Sequence, residues 1–152
     1  MANAAAICTS FKQDLLNGLH AFGTSVVRAA TTADTFFAAL YLASGSLGTG
    51  TTAYSATSEV SGTGYTAAGQ SVGAWAAPTT SGTTAFTTPS ANVTWTTVTL
   101  ATAFDAVLIY NNTAAGKNAV GVFTFGSQTV TAGNFTLTMP SNAVATALLR
   151  IA

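Results

Sequence analysis

The chain has 152 residues, which suits a single domain, and only 5% of them are charged, against roughly 25% in ordinary soluble domains. Four lysines and arginines balance four aspartates and glutamates, so the formal net charge is zero. Binding to nucleic acid needs clustered Lys and Arg, so four scattered cations exclude a nucleic-acid partner. A membrane-spanning helix needs a run of about 18 apolar residues, and the sequence has no such run, so we expect no membrane partner.

The N-terminal part of the chain predicts one arm and one helix. Residues 1–9 are mostly small and apolar and are expected to form an N-terminal arm. Over 10–22, Phe11, Leu15 and Leu19 recur at helical spacing, and Ser10 is a fair N-cap. The sequence therefore predicts a short amphipathic helix over 10–22, with His20 partly exposed on it.

The next apolar run, residues 35–43, contains aromatic and aliphatic side chains and is followed by glycines at 45, 48 and 50. A short apolar run bounded by such turn signals is typical of a buried strand.

A long stretch of small polar residues follows, 51–72, and it contains the only glutamate of the chain, Glu59, between two tyrosines. Within it, residues 62–67 match a dinucleotide-binding fingerprint, but the strand before and the helix after that this motif requires are missing. The residues alone predict a loop here, followed by a strand near 70–75.

The rest of the chain predicts short strands. Over 93–100 the apolar positions change from odd to even numbers, which a β-bulge near Thr96 or Thr97 would explain. Residues 104–111 are apolar on both faces and predict a central strand, and 112–118 predict a loop. Strands are then expected over 119–125, 128–132, 135–139 and 145–152, with turns at 126–127 and 133–134.

These elements predict a mainly β fold over 1–152, a single antiparallel β-sandwich domain with one short N-terminal helix. The expected core combines side chains from the long apolar strands: Trp95, Val107, Ile109, Phe123, Phe135 and Leu137.

The sequence contains no pattern that indicates catalysis. His20 is the only histidine, and the carboxylates have no spacing that suggests a catalytic pair or a metal site. We therefore expect no enzyme activity, no cofactor and no metal.

Several stretches resemble a family of small virion structural proteins of tailed bacteriophages. They are residues 11–22, 36–47, 51–54 and 59–69, followed in the same order by 93–100, 106–113, 119–126, 133–140 and 148–152, so the resemblance covers almost the whole chain. The shared motifs are structural and bring no catalytic residue with them.

This resemblance implies a virion protein assembled in the host cytoplasm. The expected role is a capsid decoration or cement protein that binds across neighbouring subunits of the major capsid protein, or other virion proteins, and stabilises the shell. A neck, tail or fibre component is the alternative, followed by a carbohydrate-binding module for host attachment. The charge-poor surface also predicts self-association, for which a trimer would suit the local threefold positions of a capsid.

The resemblance also implies that the stretch 51–72 lies against a neighbouring protein, with Tyr54, Glu59 and Tyr65 as candidate interface residues. Small side chains lose little rotamer entropy when they are covered, and tyrosine is favoured at interfaces. An ordinary surface loop is the alternative for this stretch.

Overall fold

The structure is a computed structural model that describes residues 3–8, 11, 19–20, 22, 32–82 and 84–151. In these residues the chain forms eight strands. Their bounds are β1 Ala6–Ile7, β2 Phe36–Leu42, β3 Gln70–Ser71, β4 Thr79–Ser81, β5 Thr84–Thr87, β6 Val93–Asn111, β7 Ala119–Leu137 and β8 Leu149–Ile151.

The strands form two antiparallel sheets. The larger has the order β1-β7-β6-β2-β3, and the smaller has the order β4-β5-β8. This confirms the predicted mainly β class, and two antiparallel sheets are compatible with the predicted β-sandwich. The last strand is shorter than the predicted 145–152, because only Leu149–Ile151 pair with β5.

The predicted helix over 10–22 falls mostly outside the described residues, which include only Phe11, Leu19, His20 and Phe22 of it. Apart from a helical backbone at Phe11, the described ranges contain no helix, so this prediction has no support. Nor do they contain a helix with the length and apolar character needed to cross a membrane.

Residues 3–8 of the predicted N-terminal arm lie against the larger sheet. Ala6 and Ile7 pair with Val122 and Gly121 of β7, and Cys8 is fully buried. The arm therefore contributes the short strand β1.

The two predicted apolar strands pair with each other in the middle of the sheet. In β2 and β6, Leu40 lies opposite Val107 and Ala38 opposite Ile109, and all four side chains are buried. Because β6 has β7 on one side and β2 on the other, the prediction of a central strand over 104–111 is confirmed. Side chains on both faces of these strands are covered, which explains their nearly continuous apolar sequence.

The β-bulge predicted near Thr96 or Thr97 is present. Trp95 pairs with Phe135 and Val98 pairs with Gly133, so β6 has one extra residue between the two pairs. Thr97 has φ 53°, in the left-handed region. The extra residue turns Trp95 and Val98 to the same side, and both are buried.

The turns predicted at 126–127 and 133–134 are wrong, because β7 continues through both positions as a single strand. The equally long β6 pairs with it along its whole length, and the register shifts where glycines lie on β7. Gly126 lies between the partners of Phe104 and Ala106, and Gly133 follows Ala132, which has φ 46°. The glycines therefore mark bulges in a strand, a position they occupy as readily as turns.

The predicted core is confirmed for its β6 members and only partly for its β7 members. Trp95, Val107 and Ile109 are buried, whereas Phe123, Phe135 and Leu137 are half-buried and pack against the core. In the described residues β7 has only the two-residue β1 beyond it, so its side chains are less covered than those of the central strand.

Candidate functional site

The structure brings the three sequence-predicted interface residues into direct contact. Tyr54 Oη donates a hydrogen bond of 2.7 Å to Glu59 Oε2, and Tyr65 Oη donates one of 2.7 Å to Glu59 Oε1. The backbone N–H of Ala68 donates to Glu59 Oε1 at 2.8 Å. The only glutamate of the chain therefore joins the beginning, middle and end of the segment 51–69.

This segment runs beside β2 as an interrupted edge strand. Val60 N donates to Leu40 O at 3.0 Å, and Leu42 N donates to Ser58 O at 2.9 Å. The chain then leaves the edge over 61–69 and returns as β3, which pairs with Phe37 and Ala38. Beside the part of β2 from which the segment has departed, the backbone N–H of Leu40 donates to the Tyr65 hydroxyl at 3.0 Å. This N–H of β2 therefore has a side-chain acceptor in place of a backbone one.

Two glycines allow the segment to lie close to the sheet. A Cβ on Gly69 would come 1.9 Å from Ala38 O, and a Cβ on Gly62 would come 2.0 Å from Thr99 O. Gly69 also has φ +72°, which glycine adopts without steric cost. Both glycines of the rejected dinucleotide fingerprint therefore serve close backbone approach, since a Cβ on the other one, Gly64, would come 2.6 Å from Thr97 O.

The two remaining tyrosines of the chain extend the same cluster. Tyr110, from β6, stacks on Tyr54 with ring centroids 4.9 Å apart and donates to Ala68 O at 2.8 Å. Tyr41, from β2, donates to Ser55 O. Lys117 Nζ lies 5.3 Å from the centre of the Tyr54 ring. We name the group Tyr41, Tyr54, Glu59, Tyr65 and Tyr110 the tyrosine–glutamate cluster.

The electrostatics of this cluster keep its phenols protonated. Burial raises the pKa of Tyr110 to about 12, with a smaller contribution from the negative charge of Glu59. The pKa values of Tyr41, Tyr54 and Tyr65 also lie above the ordinary value, mainly through burial, and for Tyr54 and Tyr65 next through the hydrogen bond to Glu59. At neutral pH these hydroxyls are donors to fixed acceptors, so the arrangement holds the segment in place and supplies no nucleophile.

A second polar network lies inside the protein, and sequence reasoning missed it. Asn111 is fully buried, and its Nδ2 donates to Asp34 Oδ2 at 2.7 Å and lies 3.2 Å from His20 Nδ1. Its Oδ1 accepts from the backbone N–H groups of Thr113 and Ala114. The sequence feature that could have indicated this network is Asn111, a polar residue at the end of an otherwise apolar strand.

The prediction of a partly exposed His20 is wrong. The side chain is 7% exposed and packs between aromatic rings, with the Phe11 centroid at 5.0 Å and the Phe36 centroid at 6.3 Å. Burial follows because His20 lies against the apolar face of β2 and next to Asn111.

Among the described residues, no group of three or more His, Cys, Asp or Glu side chains could hold a metal ion. Asp105 lies away from the other carboxylates and accepts a hydrogen bond of 2.7 Å from Asn3.

Comparison with known proteins gave no match, since no family model, no curated protein and no solved structure is similar to this chain.

Proposed function

We propose that the protein is a non-enzymatic structural component of a tailed-bacteriophage virion. In this proposal it decorates the capsid by binding across neighbouring subunits of the major capsid protein, and it associates with copies of itself. The resemblance of its sequence motifs to small virion proteins suggests that the protein is part of a virion. Its charge-poor surface supports a role in contacts between subunits.

The observation that carries the proposal is a long, partly exposed stretch of the chain without charged residues. No charged residue occurs from 118 to 149, a range that includes all of β7, and much of β7 is exposed. Charged side chains normally keep neighbouring proteins apart and soluble, so a neutral surface of threonine, serine and alanine favours permanent contact with other subunits. Such a surface is suited to a lattice.

The use of the ionisable groups also supports a structural role. Glu59 accepts three hydrogen bonds inside the segment 51–69, Asp34 accepts from Asn111, and Asp105 accepts from Asn3. A general acid or base must reach a substrate, whereas these carboxylates join parts of the fold to each other.

The segment 51–69 provides a candidate contact surface of its own. The tyrosine–glutamate cluster fixes its base, while most of residues 61–67 are exposed and small. In the proposal this loop reaches a neighbouring capsid subunit already ordered, so little conformational entropy is lost on binding. The direct interface role of Tyr54, Glu59 and Tyr65 stays a prediction, because their hydroxyl and carboxylate groups are already engaged internally.

The proposal is tested by adding purified protein to phage particles that lack it and measuring binding by co-sedimentation. We expect saturable binding, weakened by Thr66→Arg in the exposed loop. The matched control Thr80→Arg changes an exposed threonine on β4, in the other sheet, and is expected to bind like the wild type.

Absence of wild-type binding to such particles would contradict the capsid role. Binding confined to the neck, tail or fibres in electron micrographs would support the alternative location, and binding to host glycans without particle binding would support host attachment.

A further inference from the structure

Among the described residues, the outer edge of β7 has no backbone partner over most of its length. In the described part of the chain, β1 pairs only with Gly121 and Val122, and no backbone hydrogen bond reaches the outer edge from Phe123 to Leu137. An open strand edge presents a row of N–H and C=O groups that another strand can pair with. Proteins usually protect such edges with charges, proline or bulges. Neither charge nor proline occurs between 123 and 137, and the bulges of β7 in this range lie between Thr124 and Gly133, which leaves its two ends regular.

Of the seven residue pairs related by a centre at Val130, four are identical or similar, and three in the middle differ: Gly126 with Asn134, Ser127 with Gly133, and Gln128 with Ala132. The identical or similar pairs are Phe123 with Leu137, Thr124 with Thr136, Phe125 with Phe135, and Thr129 with Thr131.

The burial pattern has the same symmetry. The aromatic and aliphatic side chains on both sides of Val130 are half-buried, while Thr124 and Thr136 are exposed. Two identical strands paired antiparallel about a twofold axis at Val130 would therefore place like side chains opposite each other on the same face. Aromatic pairs and threonine pairs are the cross-strand partners that stabilise antiparallel sheets.

The surroundings of Phe123 offer a place for the apolar end of such a partner. A groove of about 490 Å³ lies beside this residue, and Val144 and Leu148 are on its wall. Val144 is 39% exposed, which is unusual for a large aliphatic side chain in this protein. In the symmetric register, Leu137 of a second copy lies opposite Phe123, next to this groove, and the contact occurs twice.

We propose that the edge of β7 from Phe123 to Leu137 is the self-association surface of the protein. A second copy pairs with it antiparallel, about a twofold axis at Val130. The regular flanks, 123–125 of one copy and 135–137 of the other, supply the main-chain hydrogen bonds on both sides of the bulged middle, where Ala132 has a left-handed backbone.

Neutrality of both edges favours this partner, since no charged residue occurs between 123 and 137. The charged side chain on the wall of the groove, Arg150, is exposed and donates a hydrogen bond to Ala145 O. The inference rests on the self-association included in the proposed function.

The experiment compares two double variants with the wild type by sedimentation velocity over a range of concentrations, without particles. In the proposed register residue 124 of each copy faces residue 136 of the other. Thr124→Lys with Thr136→Lys therefore creates two like-charge pairs, and we expect the dimer dissociation constant to rise about tenfold or more. Thr124→Lys with Thr136→Glu creates two opposite-charge pairs at the same positions, so we expect it to dimerise at least as well as the wild type.

Circular dichroism spectra of both variants serve to verify that they fold, and both lose the same hydroxyl contact of Thr136 with Thr94. Equal dimerisation of the two variants, or loss of dimerisation in both, overturns the proposal. A wild type that stays monomeric but binds particles also overturns it, together with the proposed self-association, and leaves the capsid role standing. A wild type that dimerises through this edge but fails to bind particles contradicts the capsid role alone.

Discussion

At the scale of single residues, Glu59 determines how the segment 51–69 is held. Its two carboxylate oxygens accept hydrogen bonds from Tyr54, Tyr65 and the Ala68 backbone. Hydrogen bonds to an ionised acceptor are stronger than neutral ones, and these three join the beginning, middle and end of the segment to one side chain. The unusual occurrence of one glutamate in a nearly uncharged chain therefore has a structural reason.

Glu59→Gln is expected to lower the free energy of unfolding by about 1–3 kcal/mol, because an amide keeps the shape but loses the charge and one acceptor. Urea unfolding followed by tyrosine and tryptophan fluorescence measures this loss. Asp105→Asn is the matched control, since Asp105 accepts a single side-chain hydrogen bond, from Asn3, and its loss is expected to be smaller. A control variant as destabilised as Glu59→Gln would refute the special role of Glu59.

Stability is expected to fall at high pH because the tyrosines are protonated in the folded cluster. An unfolded tyrosine titrates with a pKa of about 10, whereas burial raises the pKa of folded Tyr110 to about 12. The unfolded state therefore binds fewer protons above about pH 10, so this contribution is complete below that pH and is lost as the pH rises toward 12. Urea unfolding at several pH values should show this loss, with a shallower slope in Tyr110→Phe, and an unchanged slope in that variant would be inconsistent with the assignment.

The residues of the cluster could be predicted from the sequence only where they are neighbours in it. Tyr54, Glu59 and Tyr65 lie within one stretch of unusual composition, so they could be grouped as candidate residues before the structure was known. Tyr41 and Tyr110 come from β2 and β6, and their place in the cluster depends on strand pairing that no local pattern gives. His20 was misplaced for the same reason, because its burial comes from contact with β2 and Asn111.

At the scale of secondary-structure elements, the long pair β6 and β7 dominates the larger sheet. The alternation of apolar residues predicted the β6 bulge, because the apolar positions change from odd to even numbers around Thr96 and Thr97. The same reasoning failed for β7, because Gly126 and Gly133 are equally compatible with a turn and with a bulge. The choice between them depends on a partner strand, and the full length of β6 decides it.

Thr97→Gly is expected to leave stability unchanged or raise it by up to about 1 kcal/mol, because a β-branched residue at φ 53° is strained and glycine is not. Thr96→Gly is the matched control, an exposed threonine one position earlier for which no left-handed backbone is found. For Thr96→Gly we expect the free energy of unfolding to fall by about 0.5–1 kcal/mol, the usual loss for glycine in a strand. Thermal unfolding of both variants measures the difference, and an equal loss in both would argue against the bulge.

Close contact between the segment 51–69 and β2 is tested by a second pair of variants. Gly69 and Gly73 both have φ +72°, but a Cβ on Gly69 would meet Ala38 O at 1.9 Å, whereas a Cβ on Gly73 would meet nothing within 4 Å. Gly73→Ala should therefore cost only the backbone strain, about 1–2 kcal/mol. Gly69→Ala should cost clearly more in urea unfolding, since the backbone must also move, and similar losses would mean that the segment lies farther from β2.

At the scale of the whole molecule, a neutral surface, an open strand edge and internally engaged carboxylates all suit a subunit that is covered by others. The mainly β class, β2 and the central part of β6 could be predicted from apolar periodicity, since these features depend on local patterns. The docking of the arm and of the segment 51–69 on the sheet could not, because each depends on backbone contacts between distant parts of the chain. The proposed function depends on a further level, the assembly with other subunits, and the neutral surface of the single chain is what points to it.

The number of copies in purified phage particles tests the central claim most directly, by quantitative gel electrophoresis or mass spectrometry against the major capsid protein. The proposed decoration role predicts on the order of hundreds of copies per particle, because the same contact repeats over a symmetric shell. Complete absence of the protein from intact, purified particles would contradict the account.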